Sequence, residues 1–531
     1  MIWKSILNKY YLILLLLIII FVSYFTYLSF LRYDGLKTQL ADLGIVQAVY
    51  NTLEGRFLML SDVSRLYLHA NFILLFFAPL YYFFPTPKSM LFFQVLIAGL
   101  GAIPIFWLAK DKLKSKNLGL LFAFLYLINP QFQDAVLYDF HPEVIAVTFL
   151  LFAFYFLEKK NYLVFSLFAG LAILSKENIS LVIMMMGVYH FFINKRRKAG
   201  VLIAAFGLLY FLLIMQIVIP YFNQGQAHPF LQTGRYSYLG ENLTDAGSNI
   251  LRSPWLVLTR IFSLRVLIFL VFSLAPLAFT PFFGWPVLLI ALPDFLINAL
   301  NDKNYSLHPF GLYHQIIFVA VAFIAAIYAI KTFQKKSYFN LLLITVFAAS
   351  TIFSLIFSPA SYSLSENSAY YQISENAKIF QEQIKKMIPD GASLSVQNNL
   401  GTQFINREKI HIFSRNSDVV DYILLDLYDQ YPYYSLWRSI NFPVLVYTSD
   451  LGYFYQDIEA VFRNEDYGVL FFGDHFYLFK KGYSRDLNEP ASLSFQKDFS
   501  GIIETVATKE RERCEKKVLK ILSSYFCNNN Y

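Results

Sequence analysis

The densest chemistry in the chain sits in Tyr138-Asp139-Phe140-His141-Pro142-Glu143. Asp, His and Glu side chains this close together could hold a hard or borderline divalent ion of the magnesium or manganese class, or could position a substrate. Pro142 suits the first position of a helix, and Glu143 would then fall in the first turn, where the helix dipole favours an acid. Glu143 therefore has an ordinary structural explanation, whereas Asp139 and His141 have none. A second cluster, Lys176-Glu177-Asn178, interrupts an apolar region. Its lysine could grip a phosphate as a point charge, or simply form a surface ion pair. Asp42 lies in a stretch with helical spacing of Leu40, Leu43, Val46, Val49 and Leu53, and points off that apolar face. It reads either as a solvated acid on an interfacial helix or as a carboxylate acting as base or metal ligand. Arg65, His69, His308 and His314 stand at the ends of other apolar runs, where an imidazole is as often a structural group as a ligand. The stretch from Tyr221 to Arg260 holds His228, Arg235, Tyr236, Tyr238, Glu241, Asn242 and Asp245 and reads as a long lid or acceptor-side loop. No phosphate-binding loop, dinucleotide fingerprint, zinc-protease motif or nucleophile elbow is present.

The elements that must position these residues are apolar helices. The 531 residues are 57% hydrophobic and only 15% charged, against about 25% charged in a typical soluble domain; mean hydropathy is +0.47. Aromatics make up 19%, with 56 Phe and 38 Tyr, as suits packed membrane spans with interfacial rings. The net charge of +8 comes from Lys and Arg gathered in short clusters between apolar runs. That arrangement fits the positive-inside rule and argues against nucleic-acid binding.

Letting those clusters mark the cytoplasm, and taking about 20 apolar residues per span, the sequence predicts about eleven spans. The expected order is Tyr10–Leu31, Ser89–Ala109, Leu118–Val136, Val144–Leu157, Tyr162–Leu174, Ile179–Ile193, Val201–Tyr221, Leu264–Phe283, Trp285–Leu300, Tyr313–Ile330 and Phe339–Phe357. The first run is too long for a cleaved signal peptide and reads as an anchor with a cytoplasmic N-terminus. Asn71–Phe84 is short and closed by Pro85 and Pro87, so it reads as a juxtamembrane helix within a first external loop, 32–88. This scheme collects the polar motifs on the outer face. Arg260 and Arg265, next to a long external loop at 222–263, are the exceptions. Residues 1–357 form the expected membrane domain and 358–531 a small extracytoplasmic α/β domain. The latter should hold a helix over Glu366–Met387, strands at Ser393–Val396 and Tyr422–Leu425, helical residues at Ile458–Arg463, a hairpin near Gly473-Asp474, and a final helix over Lys509–Ser523. Its two cysteines, Cys514 and Cys527, could pair outside the cytoplasm.

Several segments together resemble a known family. ADLGIVQAVYNTLEGRFL, the following SRLYLH, LYDFHPEVIA, LAILSKENISLV and NNLGTQFINREKIHIF are similar, in order and spacing, to the prokaryotic membrane proteins called domain of unknown function 2079. The chain departs from the usual pattern at Asn178, where the family has an acid, and at Glu54, where it has His. The resemblance implies a fold like that of GT-C glycosyltransferases, mainly α and polytopic. It further implies an inverting transfer of a sugar from a polyprenyl-phosphate donor to a glycan, lipid or protein acceptor, on the outer side of a cytoplasmic membrane. By that similarity Asp42 is the catalytic base. Asp139, His141 and Glu143 position acceptor or metal, with Asp42 completing the metal set. On the same reading Lys176, with Arg65, would neutralise the departing lipid phosphate, and His69, Glu177 and His314 would complete the substrate site. Asp34, Glu54 and Asp62 then read as solvated acids. Two other classes stay open: a transporter or flippase for an anionic lipid or solute, and a non-catalytic envelope-assembly protein. The absence of internal repeats speaks against the transporter.

Overall fold

A chain with no water around it must satisfy its backbone polar groups internally, and the apolar runs do so as helices. The computed structural model describes residues 9–515 apart from 227, 233, 303, 311, 361, 364–370 and 428–447. Among these, six helices are long and apolar enough to cross a membrane: Lys9–Asp34, Pro87–Leu113, Arg197–Phe222, Thr280–Leu300, Ile316–Phe333 and Phe339–Phe357. Two bent pairs bring the number to eight. Lys116–Leu127 and Pro130–Leu137 meet at 51°, where Pro130 has no N–H to give and the Asn129 side chain accepts from Phe132 N–H at 3.0 Å. Trp255–Ile261 and Leu264–Leu277 meet at 47°. The helices Pro142–Glu158, Tyr162–Ile173 and Ile179–Phe192 are shorter. Every expected span is thus helical, and the architecture is mainly α with a small C-terminal sheet. The break between the eighth and ninth spans lies earlier than expected, at Ala278 and Phe279, both left-handed, with φ of 50° and 56°. The long stretch before them also differs from a plain loop, since it contains helices at Pro229–Gln232 and Leu243–Arg252.

The chain divides into two compact units, Met1–Ser29 with Val63–Leu80 and Ser89–Ser365, and Phe30–Asp62 with Tyr81–Lys88 and Glu366–Tyr531. In the first, the Pro142–Glu158 helix has 17 residues, roughly 25 Å at 1.5 Å per residue, and its two ends differ in chemistry. At its C-terminal end Glu158 accepts from Lys112 at 2.5 Å, from Asn194 at 2.6 Å and from Tyr328 at 2.5 Å. The lysine-bearing ends of several helices therefore meet there, as the clustering of cations in the sequence anticipates. At its N-terminal end stands Glu143. The helices Ile179–Phe192 and Arg197–Leu213 pack backbone to backbone through small residues: a Cβ at Gly207 would lie 2.5 Å from Ser180 O, and one at Gly187 2.4 Å from Ala204 N. Arg260 and Arg265, the exceptions to the charge pattern, are absorbed locally. Arg265 donates to the Ala299 and Asn301 carbonyls at 2.7 and 3.0 Å, where the Leu292–Leu300 helix ends, and Arg260 pairs with Asp302 at 2.6 Å.

The second unit is built on a five-stranded sheet of order β2-β1-β3-β5-β4. Its strands are β1 (Leu394–Val396), β2 (Ile410–Ile412), β3 (Tyr422–Asp426), β4 (Tyr467–Gly473) and β5 (Phe476–Lys481). β1 runs parallel to both β2 and β3, while β5 runs antiparallel to β3 and β4. The β4–β5 turn is carried by Asp474 and His475, both left-handed, one residue past the expected position. Helices Thr448–Arg463 and Asn488–Glu515 are longer than expected, and Ile423, Ile458, Tyr467, Phe479 and Phe495 share the core. Residues 366–370 of the expected helix at Glu366–Met387 lie outside the described residues, and the rest is seen as a helix at Glu375–Glu382 followed by a 3-10 turn at Ile384–Met387. Residues 516–523 of the last expected helix, and Cys527, lie outside the described residues.

This unit also takes in part of the first loop, for a definite polar reason. Gln47 donates to the Arg407 and Glu408 carbonyls, each at 3.0 Å. Ser61 donates to Ile410 O at 2.5 Å and accepts from Ile410 N–H at 2.8 Å. The Asn398 side chain accepts from Ala41 N–H at 2.8 Å, and a Cβ at Gly401 would run into Leu40. Two of the segments that carry the family resemblance, ADLGIVQAVYNTLEGRFL and NNLGTQFINREKIHIF, are thus packing partners.

Candidate functional site

The first unit contains an open cavity of about 250 Å³ whose polar wall holds His69, Glu143, Lys176, Glu177, Asp294 and His314. Each side chain is set by local chemistry. Ser64 caps a short turn, Arg65–Tyr67, accepting from Leu66 N–H at 3.2 Å. Arg65 Nε then donates to Asn71 at 2.7 Å, and Asn71 donates to Ser175 O at 2.5 Å. That stitching brings His69 against Glu177, with Nδ1 2.8 Å from Oε1, while the other carboxylate oxygen accepts from Ala70 N–H at 3.2 Å. Burial pushes His69 down to about 3, so its imidazole is neutral and donates to Glu177. Burial on its own would raise Glu177, but His69 and the Lys176 charge hold its carboxyl well below the usual range. Burial likewise lowers His228 and His314.

Lys176 Nζ meets Glu143 Oε1 at 2.5 Å, with little of either side chain exposed. Glu143 is aimed by the turn before it, which hangs on Gln94. The Gln94 Nε2 donates to the Val136, Tyr138 and Asp139 carbonyls at 2.9–3.2 Å, and its Oε1 accepts from His141 N–H at 2.6 Å. The His141 ring stacks on Tyr313 with centroids 3.5 Å apart. Gln94→Leu removes a partner from a buried N–H and three buried carbonyls. It is expected to destabilise the protein by about 3 kcal/mol or more, read as a lower Tm in detergent. An unchanged Tm would show that the turn holds itself.

The expected site residues thus separate. His69, Glu143, Lys176, Glu177 and His314 come together on the cavity wall. Arg65 stands behind them through Asn71. Asp139 and His141 are buried in the supporting turn and do not line the cavity. Asp42 belongs to the second unit, half-buried on the Leu40–Leu43 turn. Within the first unit, Asp139, His141 and Glu143 of the expected metal set do not stand at ligand spacing: among the described residues, the three-residue group that does is His69, Glu177 and His228. Glu143 is instead committed to Lys176.

Sequence reasoning passed over two residues. Asp294 lay hidden inside an expected span. It is 2% exposed, and its Oδ1 accepts from Asn178 Nδ2 at 2.8 Å. Its Oδ2 and Asn178 Oδ1 have no hydrogen-bond donor among the described residues. An ionisable residue within a span is a functional candidate by default, and that signal was available. Gln94 carries no such signal. The rest of the wall is apolar, from Phe211, Met215, Leu239, Leu296, Ile297 and Leu300. Phe211 and Met215 flank the start of a π-helical segment at Ile214–Val218, just ahead of Pro220.

Comparison with solved structures finds likeness to the oligosaccharyltransferase of Archaeoglobus fulgidus. Its apo form matches at a TM-score of 0.41 and 12% identity, covering 79% of this chain and 70% of that one. The archaeal enzyme in complex with an inhibitory peptide and a dolichol-phosphate matches at 0.38 and 12%, covering 78% and 69%. The complex with zinc and sulfate matches at 0.36 and 14%, covering 76% and 68%. No curated protein matches the sequence. The profile of one family, described as a predicted membrane protein, matches residues 32–442. With most of its length covered, the chain belongs to that family, DUF2079.

Proposed function

We propose that this chain is a membrane glycosyltransferase that takes a sugar from a polyprenyl-phosphate donor and passes it to an extracytoplasmic acceptor. The observation that carries the reading is the division of one cavity into a charged wall and an apolar wall. A ligand with a phosphate head and a hydrocarbon tail has the same division. Lys176, with Arg65 behind it and Arg235 on the lining, offers the positive charge a departing lipid phosphate requires. The unpartnered oxygens of Asp294 and Asn178 suit the hydroxyl donors of a sugar or acceptor. In the reaction, the acceptor oxygen attacks the anomeric carbon and the bond from that carbon to the phosphate oxygen breaks. The acceptor proton passes to a carboxylate, the role that family resemblance gives to Asp42. The active face would be the outer face of a prokaryotic cytoplasmic membrane, opposite the Glu158 end.

The test is reconstitution of the full chain into vesicles with a polyprenyl-phosphate hexose labelled in the sugar. Release of the sugar from the lipid, to a hydroxyl acceptor or to water, is the expected result. Passage of the intact donor across the bilayer without cleavage would overturn the reading in favour of a flippase.

A further inference from the structure

We infer that His69, Glu177 and His228 form a binding site for a divalent transition-metal ion of the zinc class. The three residues each offer one ligand atom, all within 4.8 Å of one another, and all three are buried. They come from separate parts of the first unit: the residues just after the Arg65–Tyr67 turn, the connection before the Ile179–Phe192 helix, and the segment leading into the Pro229–Gln232 helix. Nothing in local chain geometry requires two imidazoles and a carboxylate to meet there.

The donor set selects the ion. Two imidazole nitrogens and one carboxylate suit zinc, cobalt or iron, whereas magnesium and calcium prefer all-oxygen sites. Three protein ligands leave a coordination position open, the pattern of sites that also bind a substrate oxygen. At His69 the ion would take the place of the proton between Nδ1 and Glu177 Oε1, and the neutral imidazole would carry its single proton on Nε2 instead. His228 Nδ1 accepts a 3.1 Å bond from Phe230 N–H, which a metal at that nitrogen would replace, and the ring also bonds the Leu68 backbone. Support for the ligands is in place, since Ala70 N–H holds the second oxygen of Glu177. Of the cations whose charge reaches His69 and His228, Lys176 is paired with Glu143 at 2.5 Å, and Arg65 and Arg235 are the others.

The experiment uses the full chain, without an oligohistidine tag, purified in detergent, stripped with a chelator and reloaded with zinc. Metal per chain is counted after desalting, and affinity is measured by competition with a chromogenic chelator. One zinc per wild-type chain is expected. His228→Ala and His69→Ala should weaken zinc by more than about 100-fold, beyond the ~10–100-fold typical of losing an outer-shell partner. His228→Cys, which restores a ligand, should retain it. His190→Ala, which alters a histidine bonded to Asn194 and Tyr162, should bind as wild type. Gel filtration and Tm identify any variant that has failed to fold, and the Cys variant then decides. A wild-type chain that keeps no zinc, or one equivalent bound equally by the His228→Ala and His69→Ala variants, overturns the assignment. Because binding is read without donor or acceptor, the result is independent of whether the protein transfers sugar.

Discussion

Lys176→Met is expected to lower sugar transfer by about 10²–10³-fold, the usual cost of removing one preorganised charge from a developing anion. The same substitution leaves the Glu143 carboxylate in a buried place without its partner, which typically costs about 3–5 kcal/mol of stability. A bare loss of activity would therefore be ambiguous, and the pair must be taken apart. Adding Glu143→Gln to Lys176→Met removes the orphaned charge and keeps the shape of that side chain. The double variant should recover most of the thermal stability and none of the transfer. Donor binding, followed by quenching with a fluorescent polyprenyl phosphate, should stay weak in both variants. A double variant that transfers at close to the wild-type rate would reduce Lys176 to a structural counter-ion and leave the phosphate to Arg65 and Arg235.

Asp42→Asn is expected to reduce turnover by about 10²–10⁴-fold, the range for loss of a general base, with an unchanged Tm. The substitution is isosteric, and the turn that carries Asp42 is held by Asn398 and by Leu40 against Gly401. Asp294→Asn is the necessary comparison, because Asp294 is the carboxylate with an unpartnered oxygen on the cavity wall. If it only grips a hydroxyl, its amide variant should raise KM and largely keep kcat. The reverse outcome, with kcat lost in Asp294→Asn and retained in Asp42→Asn, would make Asp294 the base and end the role that family resemblance gives to Asp42.

Much of the helical plan was legible because a span must be apolar over its whole length, and that requirement is written into consecutive residues. The cation clusters also carried information, since Lys112 ends in the network around Glu158. At the site, His69, Glu143, Lys176, Glu177 and His314 were all named from their types and positions. What escaped had no local pattern. Asp294 is a single charge in an apolar run, and Gln94 one amide in a helix; each acts on a partner about 45 or more residues away that no spacing rule points to. The metal reading of Asp139, His141 and Glu143 failed for a related reason. Closeness in sequence puts side chains near one another but does not aim them alike, and the turn sends Glu143 to Lys176 and His141 to Tyr313.

The pairing of the first loop with residues 398–412 also dictates an order of events during synthesis. Gln47 and Ser61 leave the ribosome some 350 residues before the carbonyls and amide they bind. At about 5–20 residues per second, the segment from Phe30 to Asp62 waits of the order of 20–70 seconds for its partners. Over that interval the spans can insert one after another while Asp42 has no fixed address. A nascent chain stopped near Phe357 would thus be a fully threaded membrane protein without an ordered Leu40–Leu43 turn. If Asp42 is the base, competence to react is the last property the molecule acquires, and a prematurely terminated copy in the membrane would be inert.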